Sequence, residues 1–289
     1  MSDKTMYPIT AILALGAACF VWGIIEARLY RTRKHTIEVL PEGSKMLRVL
    51  QVSDLHFRKG QSSLEKFVRS LGSESYDLVL ATGDLLGDPA SVDRCFSALN
   101  TLRAPVRCFV LGSSDYYAPK FKNYLDYFLG RKTHGTRKNP TGHFRRLLTD
   151  AGWIDLTNVD VKIEIGGLMA QVTGMDDPYL KRDDRSLLHR DSDVRFALCV
   201  VHDPSPYLDV ANAGYDLMIS GHTHGGQVRF PFIGAVVTNS KLPARYARWA
   251  TKLNGTWLFV SPGLGTGPYA PIRFMCPPEA SVLEMIPRR

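Results

Sequence analysis

Residues 219–227 read I-S-G-H-T-H-G-G-Q, two imidazoles, His222 and His224, around a single threonine. The apolar run Leu217, Met218 and Ile219 just before them reads as a buried strand, and Gly221, Gly225 and Gly226 mark a sharp loop past its end. The carboxyl end of a strand is where α/β sheets place their sites. In an extended segment residues two apart point the same way, so both rings could face one cavity and offer nitrogen ligands to metal. An isolated H-x-H beside glycines is equally a surface turn, so its meaning depends on partners elsewhere in the chain.

Such partners recur at the ends of other apolar runs. Residues 47–52 lead into Ser53-Asp54-Leu55-His56, residues 78–81 into Thr82-Gly83-Asp84, and residues 108–111 into Gly112-Ser113-Ser114-Asp115. Between them, residues 64–71 and 92–102 carry apolar positions at helical spacing, giving strand, helix, strand, helix, strand with polar residues at each carboxyl end. One aspartate at a strand end is most often a cap or turn former. Three at equivalent ends point to a site. Residues 161–165 and 168–173 flank Gly166-Gly167, a two-residue hairpin signal. Residues 195–201 form another buried-strand run, ending at His202, and residues 257–260 and 281–286 read as further strands.

The 289 residues are 45% hydrophobic, enough for a real core and too apolar for a disordered chain. The five cysteines, Cys19, Cys95, Cys108, Cys199 and Cys276, form no C-x-x-C pair and are odd in number, against a disulfide framework or a thiolate metal site. The formal charge of +8 suggests an anionic partner: a phosphate ester, a nucleic acid or an acidic membrane surface.

Residues 7–25 carry no charge and would extend roughly 28 Å as a helix, so they read as a single membrane span. Arg28, Arg31, Arg33 and Lys34 follow it, against Lys4 and Asp3 before it, which places the globular part in the cytoplasm by the positive-inside bias. Residues 1–35 are thus expected to be a membrane anchor with a basic juxtamembrane segment, and residues 47–289 one catalytic domain. Within it, residues 118–146 form a basic, aromatic insertion (Lys120, Tyr127, Arg131 and Arg145 among them), either a solvated loop or a lid facing substrate or membrane. It matches no recognised nucleic-acid-binding motif, so nucleic acid is not the expected partner. The sequence carries no signal for an oligomeric state.

Collected, the strand-end residues are Asp54, His56, Asp84, His202, His222 and His224, with Ser113 and Asp115 on the third strand end. Carboxylates and imidazoles in this proportion suit Mn²⁺, Fe²⁺ or Zn²⁺ rather than Ca²⁺. Two such ions can make hydroxide from water and stabilise in-line displacement at phosphorus.

The order D-x-H, G-D, G-x-x-D, H, G-H-x-H resembles the calcineurin-like metallophosphoesterase family from about residue 47 to the C-terminus. The closing S-P-G-L-G-T and P-I-R-F-M-C-P-P-E-A, with the N-terminal span, look like its membrane-associated bacterial branch. The resemblance implies a four-layer α/β/β/α sandwich, here preceded by one transmembrane helix. It also implies two divalent metal ions, the first held by Asp54, His56 and His224, the second by His202 and His222, with Asp84 bridging. The expected activity is hydrolysis of a phosphomonoester or phosphodiester by a metal-activated hydroxide, on a phosphate-ester substrate that could be lipid-linked.

One block departs from the family pattern. Where the family has G-N-H-D or G-N-H-E, this chain has Gly112-Ser113-Ser114-Asp115, so a metal-binding Asn and a proton-handling His are both missing. Ser113 can offer a weak oxygen ligand. Ser114 cannot replace an imidazole near neutral pH, which leaves Asp115 as a candidate proton donor. The rival expectation is a membrane-anchored protein that binds metal or a phosphorylated ligand with little turnover.

Overall fold

The computed structural model describes residues 3–120, 135–267 and 269–288, with side chains from residue 10 onward. Two six-stranded sheets face one another. The first has the order β1 (Arg31–Leu40), β14 (Glu279–Pro287), β2 (Leu47–Val52), β3 (Leu78–Thr82), β4 (Val106–Val110) and β5 (Ile154–Asp155). The second runs β12 (Trp249–Leu253), β13 (Thr256–Val260), β9 (Leu217–Ser220), β8 (Phe196–Val200), β7 (Leu168–Gly174) and β6 (Val159–Ile165). Strands β2 to β5 are mutually parallel, as are β7, β8, β9 and β13, so their carboxyl ends gather along one edge of each sheet.

Strand alternation builds the layers. Val49, Leu80, Leu198, Ile219 and Phe259 point between the sheets into one core. Their neighbours Leu50 and Val79 point outward, onto Leu64 and Val68 of α2 (Ser62–Leu71), Cys95 of α3 (Val92–Leu99) and Phe144 of the helix Thr141–Asp150. Ala197, Cys199, Met218 and Leu258 pack on the far side against Val210 of the short helix Tyr207–Asn212. Each fully buried Leu, Val or Phe contributes about 1.5–3 kcal/mol, so the strands hold register by burying both faces. The β6–β7 hairpin closes through Gly166 (φ +56°) and Gly167 (φ +86°), the two left-handed residues that a tight hairpin turn asks for.

Three expectations meet a different outcome. Residues 7–25 do lie in a helix, α1 (Asp3–Glu26), but among the described residues no helix is long and apolar enough to cross a membrane, so the spanning reading is not supported. The last turn of α1 belongs instead to the globular domain: Gly23 O accepts from Arg273 N at 2.9 Å, and the buried Glu26 carboxylate accepts from Met275 N and Cys276 N at 3.1 and 2.6 Å. The charge asymmetry around α1 therefore assigns no membrane side.

Second, the supposed juxtamembrane segment is strand β1, paired in parallel with β14. Its charges conceal a period of two in which His35, Ile37 and Val39 turn inward. Arg31 and His35 reach the fully buried Glu279 at 3.4 and 2.9 Å, and Lys34 reaches Glu284 at 3.7 Å, so strand carboxylates rather than lipid headgroups face these side chains. Third, the end of the basic insertion is helical (Thr141–Asp150), with Arg145 bonded to Asp155 at 2.6 Å. Its middle, residues 121–134 with Tyr127 and Arg131, lies outside the described residues.

Candidate metal centre

Every metal-ligand candidate sits just past the carboxyl end of a parallel strand: Asp54 and His56 after β2, Asp84 after β3, His202 after β8, His222 and His224 after β9. Five of these six adopt left-handed backbone, with φ of +52° at Asp54, +43° at His56, +51° at Asp84, +68° at His222 and +50° at His224. Asp and His tolerate this region better than bulky residues, yet each such residue stores on the order of 1–3 kcal/mol. The surrounding structure holds them there. A Cβ on Gly221 would collide with Ser53 Oγ and the Asp54 carboxylate, so the His222 loop can lie directly on the Asp54 loop only because residue 221 is glycine.

The side chains converge in two groups, Asp54 with His56 and His224, and Asp84 with His202 and His222, the ligand atoms within each lying within 4.8 Å of one another. His56 Nε2 lies 3.1 Å from His224 Nε2, and His222 Nδ1 lies 3.3 Å from His202 Nε2. Asp84 Oδ2 is 3.7 Å from His56 Nε2 and 3.4 Å from His202 Nε2, which places its carboxylate between the groups. His202 Nδ1–H donates to Thr82 O at 2.7 Å, leaving the Nε2 lone pair aimed into the site. Ring nitrogens facing one another across carboxylate oxygens, all buried, are a donor set suited to borderline divalent cations, so the residues fit the metals that the sequence implies.

The electrostatics agree with that fit at the first group; at the second, burial opposes charge on His202, but Asp84 and Asp54 raise it well above the usual imidazole range, so a bound cation would have to take the place of a proton there. Burial drives the His224 ring down to about 3, with His56 and Arg273 acting the same way against Asp54, so the imidazole is neutral as a ligand must be. Burial also lowers His56. Burial opposes charge on Asp84, but His202, His56 and His222 together hold its carboxyl well below the usual range, and it stays ionised.

Ser113, Ser114 and Asp115 open a one-turn helix, Ser113–Tyr116, directly after β4. Ser114 donates to Asp84 from its N–H (2.7 Å to Oδ1) and its hydroxyl (3.1 Å to Oδ2). Ser113 and Ser114 both line the cavity above the site. Asp115 is fully buried: Oδ1 accepts from Leu85 N and Leu86 N at 2.8 and 2.9 Å, and Oδ2 from Gly112 N at 2.8 Å. Burial, then the charge of Asp84, pushes its carboxyl up to about 7 against the pull of those backbone donors.

Sequence reasoning missed two supports. Gln51 is buried between the sheets and donates to Thr82 Oγ1 (2.8 Å) and Ser220 O (2.9 Å), tying β2 to β3 and to β9 beneath the ligands. Its signal was a lone polar residue in the apolar run L-R-V-L-Q-V. Arg273, fully buried, donates to Pro262 O, Gly263 O and Gly265 O at 2.8, 3.1 and 2.7 Å and fixes the loop against Asp54. No spacing in the sequence marks it.

A cavity of about 460 Å³ opens from the ligand cluster. His56, Asp84, His222 and His224 form its floor, and Tyr179, Val228, Phe230, Val236 and Ile272 are among the residues of its walls.

A family model described as calcineurin-like phosphoesterase matches residues 47–226. The metallophosphoesterase YkuE of Bacillus subtilis (strain 168) is 27% identical over 267 residues, 90% of this chain and 87% of its own. A transmembrane protein with metallophosphoesterase domain from Bos taurus is 30% identical over 244 residues, 79% of this chain and 51% of its own. The UDP-2,3-diacylglucosamine pyrophosphatase LpxG of Chlamydia muridarum (strain MoPn / Nigg) is 22% identical over 330 residues, 96% of each chain.

Proposed function

The chain belongs to the calcineurin-like phosphoesterase family, and from that premise we infer which residues carry its metal-dependent hydrolysis of phosphate esters, and on what kind of substrate. Asp54, His56 and His224 would hold one divalent ion, and His202 and His222 the other. Asp84 would serve both, and Ser113 would add at most a weak hydroxyl ligand. The observation that carries this reading is the pair of three-residue groups with Asp84 Oδ2 between them. When bound, Mn²⁺, Fe²⁺ or Zn²⁺ at these groups supplies Lewis acidity toward phosphoryl oxygens and a nucleophile from water at neutral pH.

The chain's own residues orient and exclude. Ser114 fixes the Asp84 carboxylate through two hydrogen bonds. Asp115 positions rather than donates: its two oxygens already accept three backbone N–H groups, which pins the β3 and β4 loops together. With no imidazole at 114, no side chain of that block hands a proton to a departing alkoxide. Esters whose leaving group departs as a stable anion are therefore favoured.

The cavity walls favour a substrate with an apolar body next to its phosphate, because Val228, Phe230, Val236 and Ile272 offer it no charge. A lipid-linked phosphate ester or diphosphate has that shape, and the relative LpxG is by its name a pyrophosphatase of a diacylated sugar nucleotide. Helix α1, with Ile12, Leu13, Leu15 and Phe20 exposed, keeps the domain at a membrane surface. Strand β1 is part of the catalytic unit, which thus starts ahead of residue 47.

The rival reading, a metal- or phospholigand-binding protein with little turnover, draws on Ser113 and Ser114 alone. Purified chain with added Mn²⁺, assayed on bis(nitrophenyl) phosphate and nitrophenyl phosphate, separates the two. Turnover that disappears on chelation supports hydrolysis; metal binding without turnover supports the rival.

A further inference from the structure

Residues 229–235, R-F-P-F-I-G-A, form a small antiparallel hairpin, Arg229 opposite Ala235 and Phe230 opposite Gly234. Its tip is apolar and stands free of the fold: Phe232 is 109% exposed and Ile233 75%. Ile233 N–H closes the tip onto Pro231 O at 2.7 Å while Phe232 holds a φ of +65°. A three-residue turn with a bulky residue at positive φ is rare and strained. Nothing in the described fold covers the side chain that this strain displays.

The hairpin is continuous with two other features. Arg229 N–H donates to Phe274 O at 2.9 Å, and Arg273 N–H donates to Gly23 O at 2.9 Å, so the 272–275 segment joins the hairpin to the last turn of α1. Along that line Trp22, Met275, Phe230, Phe232, Ile233 and Val236 are exposed apolar side chains, and Phe230 and Val236 are also walls of the catalytic cavity. The same region is cationic. Arg33 and Arg248 each place a guanidinium 4.0 Å from the Trp249 ring centroid. Burial, then the nearby charges of Arg229 and Arg33, lower Arg248. Among the described residues none of Arg33, Arg229 and Arg248 makes an ion pair with a carboxylate.

An apolar tip flanked by clustered, unneutralised arginines complements an anionic bilayer surface: side chains for the acyl boundary, guanidinium groups for headgroup phosphates. We propose that the hairpin 229–235 inserts Phe232 and Ile233 into the interface of an anionic bilayer and thereby sets the mouth of the catalytic cavity against that surface. This rests on the reading of the cavity as a phosphoester site and adds how a lipid phosphate would enter it, directly from the bilayer rather than through water.

The test uses the full chain carrying Phe232→Trp and vesicles of phosphatidylcholine with phosphatidylglycerol, their acyl chains brominated. Relative to the unmodified chain with its four native tryptophans, the added emission should shift blue and be quenched. Phe232→Ser with Ile233→Ser should lower partition onto the same vesicles by about tenfold per side chain. An added tryptophan that is not quenched while the chain is vesicle-bound overturns the proposal, as does unchanged partition of the double variant. Self-association through the tip without lipid, abolished by the double variant, overturns it too by making the tip a protein interface. Hydrolysis of bis(nitrophenyl) phosphate in solution, measured on the same samples, reports separately: its absence in every sample sinks the catalytic reading and leaves the insertion result to stand or fall alone.

Discussion

Replacing Asp115 by Asn tests whether this buried carboxylate positions the site or handles a proton. The amide keeps one carbonyl oxygen for Leu85 N and Leu86 N, which lie 2.8 and 2.9 Å from Oδ1. It turns an N–H₂ toward Gly112 N–H, which in the native chain meets Oδ2 at 2.8 Å. Two buried donors left facing one another cost about 1–3 kcal/mol. Against that, the change removes a buried charge that burial and Asp84 oppose strongly enough to push the carboxyl up to about 7. The two effects act in opposite directions, so the variant stays folded and the consequence is read in catalysis. Releasing Gly112 loosens the turn through which Ser114 holds Asp84 at 2.7 Å. A displacement near 1 Å at a reacting centre costs about 100-fold. The loss should be equal for an aryl and an alkyl phosphodiester, because positioning serves both. Steady-state kcat/KM on the two substrates, with unfolding monitored in urea, checks this. An unchanged aryl rate with an alkyl rate lowered by about 10²–10⁴-fold would refute the reasoning and make Asp115 the general acid.

Asp84→Asn should lose metal and at least about 100-fold in activity, since an amide cannot supply the charge shared by both groups; elemental analysis alongside kinetics decides it. Ser113→Asn with Ser114→His should raise the alkyl diester rate more than the aryl rate, as an imidazole there would face the cavity; equal gains on both would mean that ligand strength, not proton transfer, was limiting. Glu279→Gln should destabilise by about 1–3 kcal/mol at neutral pH through lost charge-assisted bonds. Burial opposes charge on Glu279, but His35, Arg31 and Ser281 hold its carboxyl below the usual range, so its stabilisation is present above the ordinary glutamate pKa and fades as pH falls through the lowered one. Denaturation at several pH values checks that sign, and a gap between wild type and variant that widens in acid contradicts it. Excess Mn²⁺ at about 100 times its Kd should stabilise the wild-type chain by about 2.7 kcal/mol per bound ion in thermal unfolding and leave Asp84→Asn nearly unmoved.

The parallel strands and their polar ends were legible because buried parallel strands read as unbroken apolar runs, and because Asp54, His56, Asp84, His202, His222 and His224 each follow such a run directly. The Gly166-Gly167 hairpin was equally open, since two left-handed positions leave glycine as their mark. Strand β1 was hidden: Arg31, Arg33 and Lys34 made it look like a juxtamembrane tail, and the Glu279 that meets Arg31 and the Glu284 that meets Lys34 lie nearly 250 residues away in sequence. The membrane span at residues 7–25 was read from composition, which cannot show that Gly23 and Glu26 bind the 273–276 segment. The role of Asp115 was illegible for a related reason. A carboxylate five residues past a strand looks the same whether it faces solvent, substrate or three backbone N–H groups. Arg273 left no local trace because its partners are carbonyls, which every residue has.

The central claim is that the two imidazole and carboxylate groups hold a pair of ions with Asp84 between them. Crystals grown with Mn²⁺, measured for anomalous scattering at the manganese edge, test it directly. The account predicts two peaks about 3.5–4 Å apart, one against Asp54, His56 and His224, the other against His202 and His222, both within ligand distance of Asp84. A single peak, or peaks that leave Asp84 without a metal contact, would contradict it.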